Sequence, residues 1–166
     1  MSEVQFRGFT TIMQQVVNHN FDDMKLQKHH MGISVYEHCV KVAFLCYKYS
    51  LKYNLNASEL VRAALLHDYF LYDRRNKAGD VRINRFMHCF KHPNIALHNA
   101  LLDYPNLSLA EQDAIKKHMF PLTVIPPRTS CGWVVCWCDK IVGLAEYFHV
   151  NPWKQELNTI LDFSKE

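Results

Sequence analysis

The stretch Ala63-Ala64-Leu65-Leu66-His67-Asp68-Tyr69 decides how this chain is read. Its first four residues are strong helix formers. The run then closes on a histidine and an aspartate, which are costly to bury without partners. Asn56 and Glu59 stand in capping positions ahead of it, so a helix of about residues 58–68 is predicted, with the doublet near its C-terminal end. Neutral imidazole and carboxylate are common ligands of divalent transition metals, and a metal would satisfy both groups. His38, His92, His118 and Asp139 recur at intervals that can complete such a site.

Working outward, the pattern stays helical. Residues 7–19 suit a first short helix, and Met24 to Gly32 reads as a polar connection holding the pair His29-His30. Ser34 and Glu37 form a capping-box signature for a long helix reaching about Tyr53. Within it Val35, His38, Val42 and Leu45 recur at steps of three and four, placing His38 on a core-facing side. Residues 70–91, with Asp73, Arg74, Arg75, Lys77, Gly79, Asp80, Arg82 and Arg85, are the least regular section. His92-Pro93 is expected to start the next helix, with Pro93 at its first position. Ser108 and Glu111 repeat the capping box before the helix that holds Lys116, Lys117 and His118. Pro121, Pro126 and Pro127 enforce a loop. An apolar helix from Trp133 to Phe148 carries Asp139, and a short helix from Trp153 follows. The expected fold is all-α, a single domain over residues 1–166 with its core at about 34–148.

Composition narrows the class. A chain of 166 residues and 19.5 kDa suits one domain, and 49% hydrophobic residues supply an ample core. A formal charge of +3 is too small to argue for a nucleic-acid polymer or a membrane as partner. The N-terminal residues lack the apolar run of a signal peptide, and no segment approaches the roughly 18 apolar residues of a spanning helix. A cytoplasmic location is therefore expected. There the six cysteines, at 39, 46, 89, 131, 136 and 138, are read as free thiols. Cys131, Cys136 and Cys138 lack the paired C-x-x-C arrangement of a structural zinc site. Trp133, Trp137 and Trp153 are expected to pack the C-terminal helices.

Taken one at a time, each of these polar residues has an ordinary explanation. A histidine on an apolar helix face is usually a hydrogen-bonded core residue, and Asp139 can pair with Lys140 or Arg62. The ordered set says more. His38 in Glu37-His38-Cys39, the His67-Asp68 doublet, and Asp139 in Asp139-Lys140-Ile141 resemble the signature of the HD-domain metal-dependent phosphohydrolase superfamily, over about Ser34 to Phe148. His92-Pro93 with Ala96-Leu97, and Ile115-Lys116-Lys117-His118, are similar to the segments that supply two further histidines in binuclear members. Such members include the symmetrical diadenosine-tetraphosphate hydrolases and cyclic-dinucleotide phosphodiesterases. The chain departs from both: no Gly-Tyr-Pro extension follows the doublet, and residues 70–75 lack the lysine common in the diadenosine group.

The resemblance implies an enzyme that hydrolyses a phosphomonoester or phosphodiester of a nucleotide or related small molecule. It implies two divalent ions (Fe, Mn, Co, Ni or Zn), with Asp68 bridging them. His38, His67 and Asp139 would hold one, and His92 and His118 the other, with His88 as the competitor for His92. His67 and Asp68 would carry the catalysis through metal-activated hydroxide. Arg75, Lys140, Arg74 and Lys117 are the basic residues placed to bind phosphate, Lys91 being a further neighbour of His92. His29 or His30 could line the cleft. A homodimer agrees with what similar proteins form. The alternatives are an HD-type di-iron oxygenase and a non-catalytic metal- or nucleotide-binding regulatory module.

Overall fold

The computed structural model describes residues 2–17, 19–27, 32–70 and 85–163, among which the side chains of 19, 22, 85–89 and 159–163 are not described. Every regular element in it is helical: α1 Glu3–Val16, α2 His19–Asp22, a 3-10 turn at Asp23–Lys25, α3 Val35–Tyr53, α4 Ala57–Leu66, α5 Arg85–Asp103, α6 Leu109–Lys117, α7 Ser130–Tyr147 and α8 Lys154–Phe163. The fold is all-α, as expected. No helix among the described residues is long and apolar enough to cross a membrane.

Capping chemistry sets the helix starts. Ser34 and Glu37, and again Ser108 and Glu111, form complete capping boxes in which each side chain takes the other residue's backbone N–H. At α4 the box is half made. Asn56 accepts from the Glu59 N–H, whereas the Glu59 carboxylate takes the Ser108 hydroxyl at 2.7 Å and links the starts of α4 and α6. The first helix begins earlier than residue 7 because Ser2 and Gln5 form a further box, and it ends at Val16. The connection expected from Met24 contains structure as well, because Phe21 and Met24 are fully buried and fold the chain into α2 and the 3-10 turn. The α3 helix stops at Asn54, whose left-handed backbone (φ 52°) is one that asparagine tolerates.

The α3 and α4 helices form the centre and pack on each other. The α7 helix lies against α3, α4 and α6, α5 joins α6 and α4, and α1 covers α4. Buried residues surround α3 on nearly all sides, from Val35 and Tyr36 through Phe44 to Tyr47. A helix apolar all round is an interior one.

Three expectations are corrected. The helix of about 58–68 ends at Leu66, and the doublet forms the turn beyond it. The helix expected to begin at His92 already starts at Arg85, and Pro93 sits inside it rather than at its first position. An interior proline forfeits one helix hydrogen bond and crowds the preceding turn, about 3 kcal/mol. Here Ala96 and Ala100 bury the same helix against the core. Trp153 is half-buried against the core, but Trp133 and Trp137 are exposed, at 47% and 62%.

Candidate metal centre

Three helices and two turns bring all six sequence-predicted ligands into a single buried cluster. His38 lies one turn into α3, the doublet follows α4, His92 is on α5, His118 follows α6 and Asp139 is on α7. His38, His67, Asp68, His92 and His118 are each 5% exposed or less.

His67 and His118 are placed by the same local device. Each caps a helix and folds its imidazole back, donating from Nδ1 to the carbonyl three residues earlier: Ala64 at 2.7 Å and Ile115 at 2.8 Å. Those carbonyls belong to the last turn of their helices, where no backbone N–H is available to them. The bond fixes the proton on Nδ1 and leaves the Nε2 lone pair facing inward. His38 is held differently, since its Nδ1–H donates to the Glu146 carboxylate at 2.9 Å while Nε2 faces Asp139 Oδ1 at 3.1 Å.

These nitrogens converge with the carboxylates in two groups. In the first, His67 Nε2 lies 3.7 Å from Asp139 Oδ1, beside His38. In the second, His92 Nε2 and His118 Nε2 face each other at 2.9 Å and lie 3.2 and 3.5 Å from Asp68 Oδ1. Asp68 stands between the groups, because its other oxygen, Oδ2, faces His67 Nε2 at 3.8 Å. Phe70 sets its ring edge-on to His92, closing that side with an apolar wall.

The donor set fits a divalent metal. His67 Nε2 is fully buried and finds no hydrogen-bond partner, a costly state for a lone pair unless something electropositive occupies the space it faces. Two imidazole nitrogens and a carboxylate oxygen crowded within 3.5 Å of one another likewise call for a cation between them. Mixed nitrogen and oxygen donors of this kind suit first-row transition ions.

The electrostatics of the two groups differ. Burial opposes a charge on His38, yet Asp139 and Glu146 outweigh it and raise the imidazole to about 9. Burial alone would raise Asp139, but Lys140 and the two histidines hold it well below the usual carboxylate range. In the second group, burial reinforced by His67 and His92 lowers His118 to about 3, so it stays neutral.

Basic residues named from the sequence are placed as follows. Lys140 donates to Asp139 Oδ2 at 2.6 Å and to the His118 carbonyl at 2.8 Å, with its side chain about a third exposed. Arg62 pairs with Glu111 rather than Asp139. Lys117 is paired with Asp113, whose other oxygen takes the N–H groups of Arg128 and Thr129, so its ammonium helps tie the loop before α7. Arg74 and Arg75, and His29 and His30, lie outside the described residues, as does the side chain of His88 one turn before His92. Cys39, Cys46, Cys131, Cys136 and Cys138 are buried free thiols.

Two features escaped the sequence. Glu146 is 5% exposed and supports His38; its only signal is a position two turns beyond Asp139 on the same face of α7. Asp103 accepts the Tyr69 hydroxyl, and Asn99 donates to the Tyr69 carbonyl at 3.2 Å, locking the turn that carries the doublet onto α5.

Comparison with known proteins adds one finding: the family described as "HD domain" matches residues 35–143, from the start of α3 into α7. No curated protein matches the chain. No solved structure does either.

Proposed function

Because the chain belongs to the HD-domain family, we propose that it is a metal-dependent hydrolase of phosphate esters, acting on a phosphomonoester or phosphodiester of a nucleotide or related small molecule. Two divalent ions are assigned, one to His38, His67 and Asp139 and one to His92 and His118, with Asp68 shared. The observation that carries this reading is Asp68 itself, which turns one oxygen toward each group of histidines.

When bound, such an ion pair supplies Lewis acidity toward phosphoryl oxygens and brings the pKa of water toward neutrality. The chain's own contribution is positional. Ala64 and Ile115 fix the tautomers of His67 and His118, so their lone pairs need no reorientation when a cation arrives. Neutral His118 carries no proton that a metal would have to displace. Burial of the cluster keeps bulk water from competing for these groups.

Lys140 uses two of its three N–H bonds on Asp139 and His118, which leaves one for a phosphate oxygen at the partly exposed edge of the cluster. Arg74 and Arg75, a few residues beyond the doublet, are assigned the same task because guanidinium forks match phosphate oxygens.

The test combines metal analysis with an activity panel. Protein purified without added metal is assayed by plasma mass spectrometry. It is then reconstituted with Mn, Fe, Co, Ni or Zn and offered nucleotides, dinucleoside polyphosphates, cyclic dinucleotides and simple phosphomonoesters. About two ions per chain and metal-dependent phosphate release are expected. Metal binding without hydrolysis overturns the hydrolase assignment, and consumption of O₂ by an iron-loaded form would move the chain to oxygenase chemistry.

A further inference from the structure

We propose that Glu146 is a positioning residue that makes the two metal positions unequal, so that the first ion enters at His38, His67 and Asp139 before the second is held at His92 and His118. The inference rests on the metal-centre reading above and concerns its order of filling.

Glu146 is a buried carboxylate on the face of α7 that also carries Asp139, where an unsatisfied charge would be expensive. Both oxygens are used. Oε2 accepts the Nδ1–H of His38 at 2.9 Å, and Oε1 takes the Lys41 ammonium at 3.0 Å. His38 and Lys41 stand one turn apart on α3, as Asp139 and Glu146 stand two turns apart on α7. The four groups therefore alternate across the α3–α7 contact as carboxylate, imidazole, carboxylate, ammonium. The His38 ring is gripped at both nitrogens by carboxylates from a single helix.

A carboxylate behind a ligand imidazole does two things that a carbonyl does less well. It fixes ring and tautomer with a charge-assisted bond, and it makes the far nitrogen a stronger electron-pair donor. At His67 and His118 a main-chain carbonyl stands in that place, joined at His67 by the Cys39 thiol at 3.9 Å. Asp139 adds a full negative charge to the same position, whereas the second position relies on a carboxylate that it shares. Both differences favour the first position for a divalent cation.

Stepwise titration of the metal-free protein with Mn(II) or Co(II), followed by calorimetry and by cobalt absorption, tests this. Wild type is expected to show two separable steps. Glu146→Ala should weaken the tighter step by about 10–100-fold and leave the weaker step nearly unchanged. Glu146→Gln, which keeps an acceptor for the Nδ1–H but removes the charge, should fall between. Lys41→Met is the structural control: it breaks the buried ion pair, leaves the carboxylate on His38, and should lower thermal stability while preserving the order of the steps. Two steps of equal affinity in wild type, or equal weakening of both by Glu146→Ala, overturns the proposal and leaves the metal centre standing. A wild-type protein that binds no divalent ion overturns both. If Glu146→Ala fails to fold, the Gln variant decides by the same criterion.

Discussion

The two halves of the cluster use the same ligand chemistry but are supported differently. The His38, His67 and Asp139 half sits where α3, α4 and α7 meet, and its charges are compensated by Glu146, Lys41 and Lys140. The His92 and His118 half sits between α5 and α6, with His118 kept neutral, a carbonyl behind it and Phe70 as a wall. The first is lined by paired buried charges, and in the second burial keeps His118 neutral. A bare set of ligands treats six residues as equivalent. Packing sorts them, because what stands behind each ligand decides how strongly it binds and how firmly it is held.

Asp68 turns one oxygen toward each half, so its removal should have the largest effect. Asp68→Ala is expected to cost metal at both positions and to lower hydrolysis by at least about 10³-fold, read as metal content together with kcat. A variant that kept one full equivalent of metal would show that the halves are independent and that Asp68 does not join them. Next in size, His38→Ala and His92→Ala should each remove ligation from one half only. Under the inequality argued above, His92→Ala retains one tightly held ion. His38→Ala loses the tight step, so little metal survives dialysis. The opposite pattern would reverse the assignment of the stronger half.

Acid titration of the metal-free protein sharpens the same contrast. Burial would raise Glu146, but His38 and Lys41 pull it from 4.5 down to about 2. Between those values the unfolded chain takes up a proton that the folded chain refuses, so stability rises with pH across this window and is lost as pH falls through it. Glu146→Gln should flatten this acid limb in thermal melts between pH 2 and 5. His38 behaves in the opposite sense. Raised from 6.5 to about 9, it contributes stability that is complete below pH 6.5 and lost as pH rises through 9. Burial opposes a charge at both histidines, and at His118, lowered to about 3, it outweighs the nearby carboxylates.

Which of this was legible in the sequence follows the range of the interactions. Helix starts at Ser34 and Ser108 were readable because a capping box is closed within four residues. The six members of the cluster were readable because their order and local contexts resemble a known family. The start of α5 was not. Pro93 looks like a first-turn proline, and only the packing of Ala96 and Ala100 shows a helix long enough to absorb it. Glu146 was not readable either. Near the end of a helix, a glutamate reads as solvated until α3 is known to place His38 and Lys41 against it. The Lys117 pairing with Asp113 spans one helical turn, but the tie from Asp113 to the loop before α7 exists only in the folded chain.

The smallest expected effect separates the halves through their helix caps. Ser34→Ala and Ser108→Ala should each cost about 1 kcal/mol of stability, measured by denaturant unfolding. Their consequences for metal should differ. The His38 N–H makes its helical bond to the Ser34 carbonyl at 3.1 Å, so fraying at the start of α3 reaches a ligand directly. His118 lies at the far end of α6 from Ser108, held by the Ile115 carbonyl and by the Lys140 contact to its own carbonyl. Ser34→Ala should therefore weaken the tighter metal step measurably, and Ser108→Ala should leave both steps in place while lowering the unfolding midpoint by a similar amount. Equal metal binding in the two variants would mean that Glu146 and Asp139 hold His38 by themselves, making the side-chain clasp, and not the helix start, the device that fixes the first half.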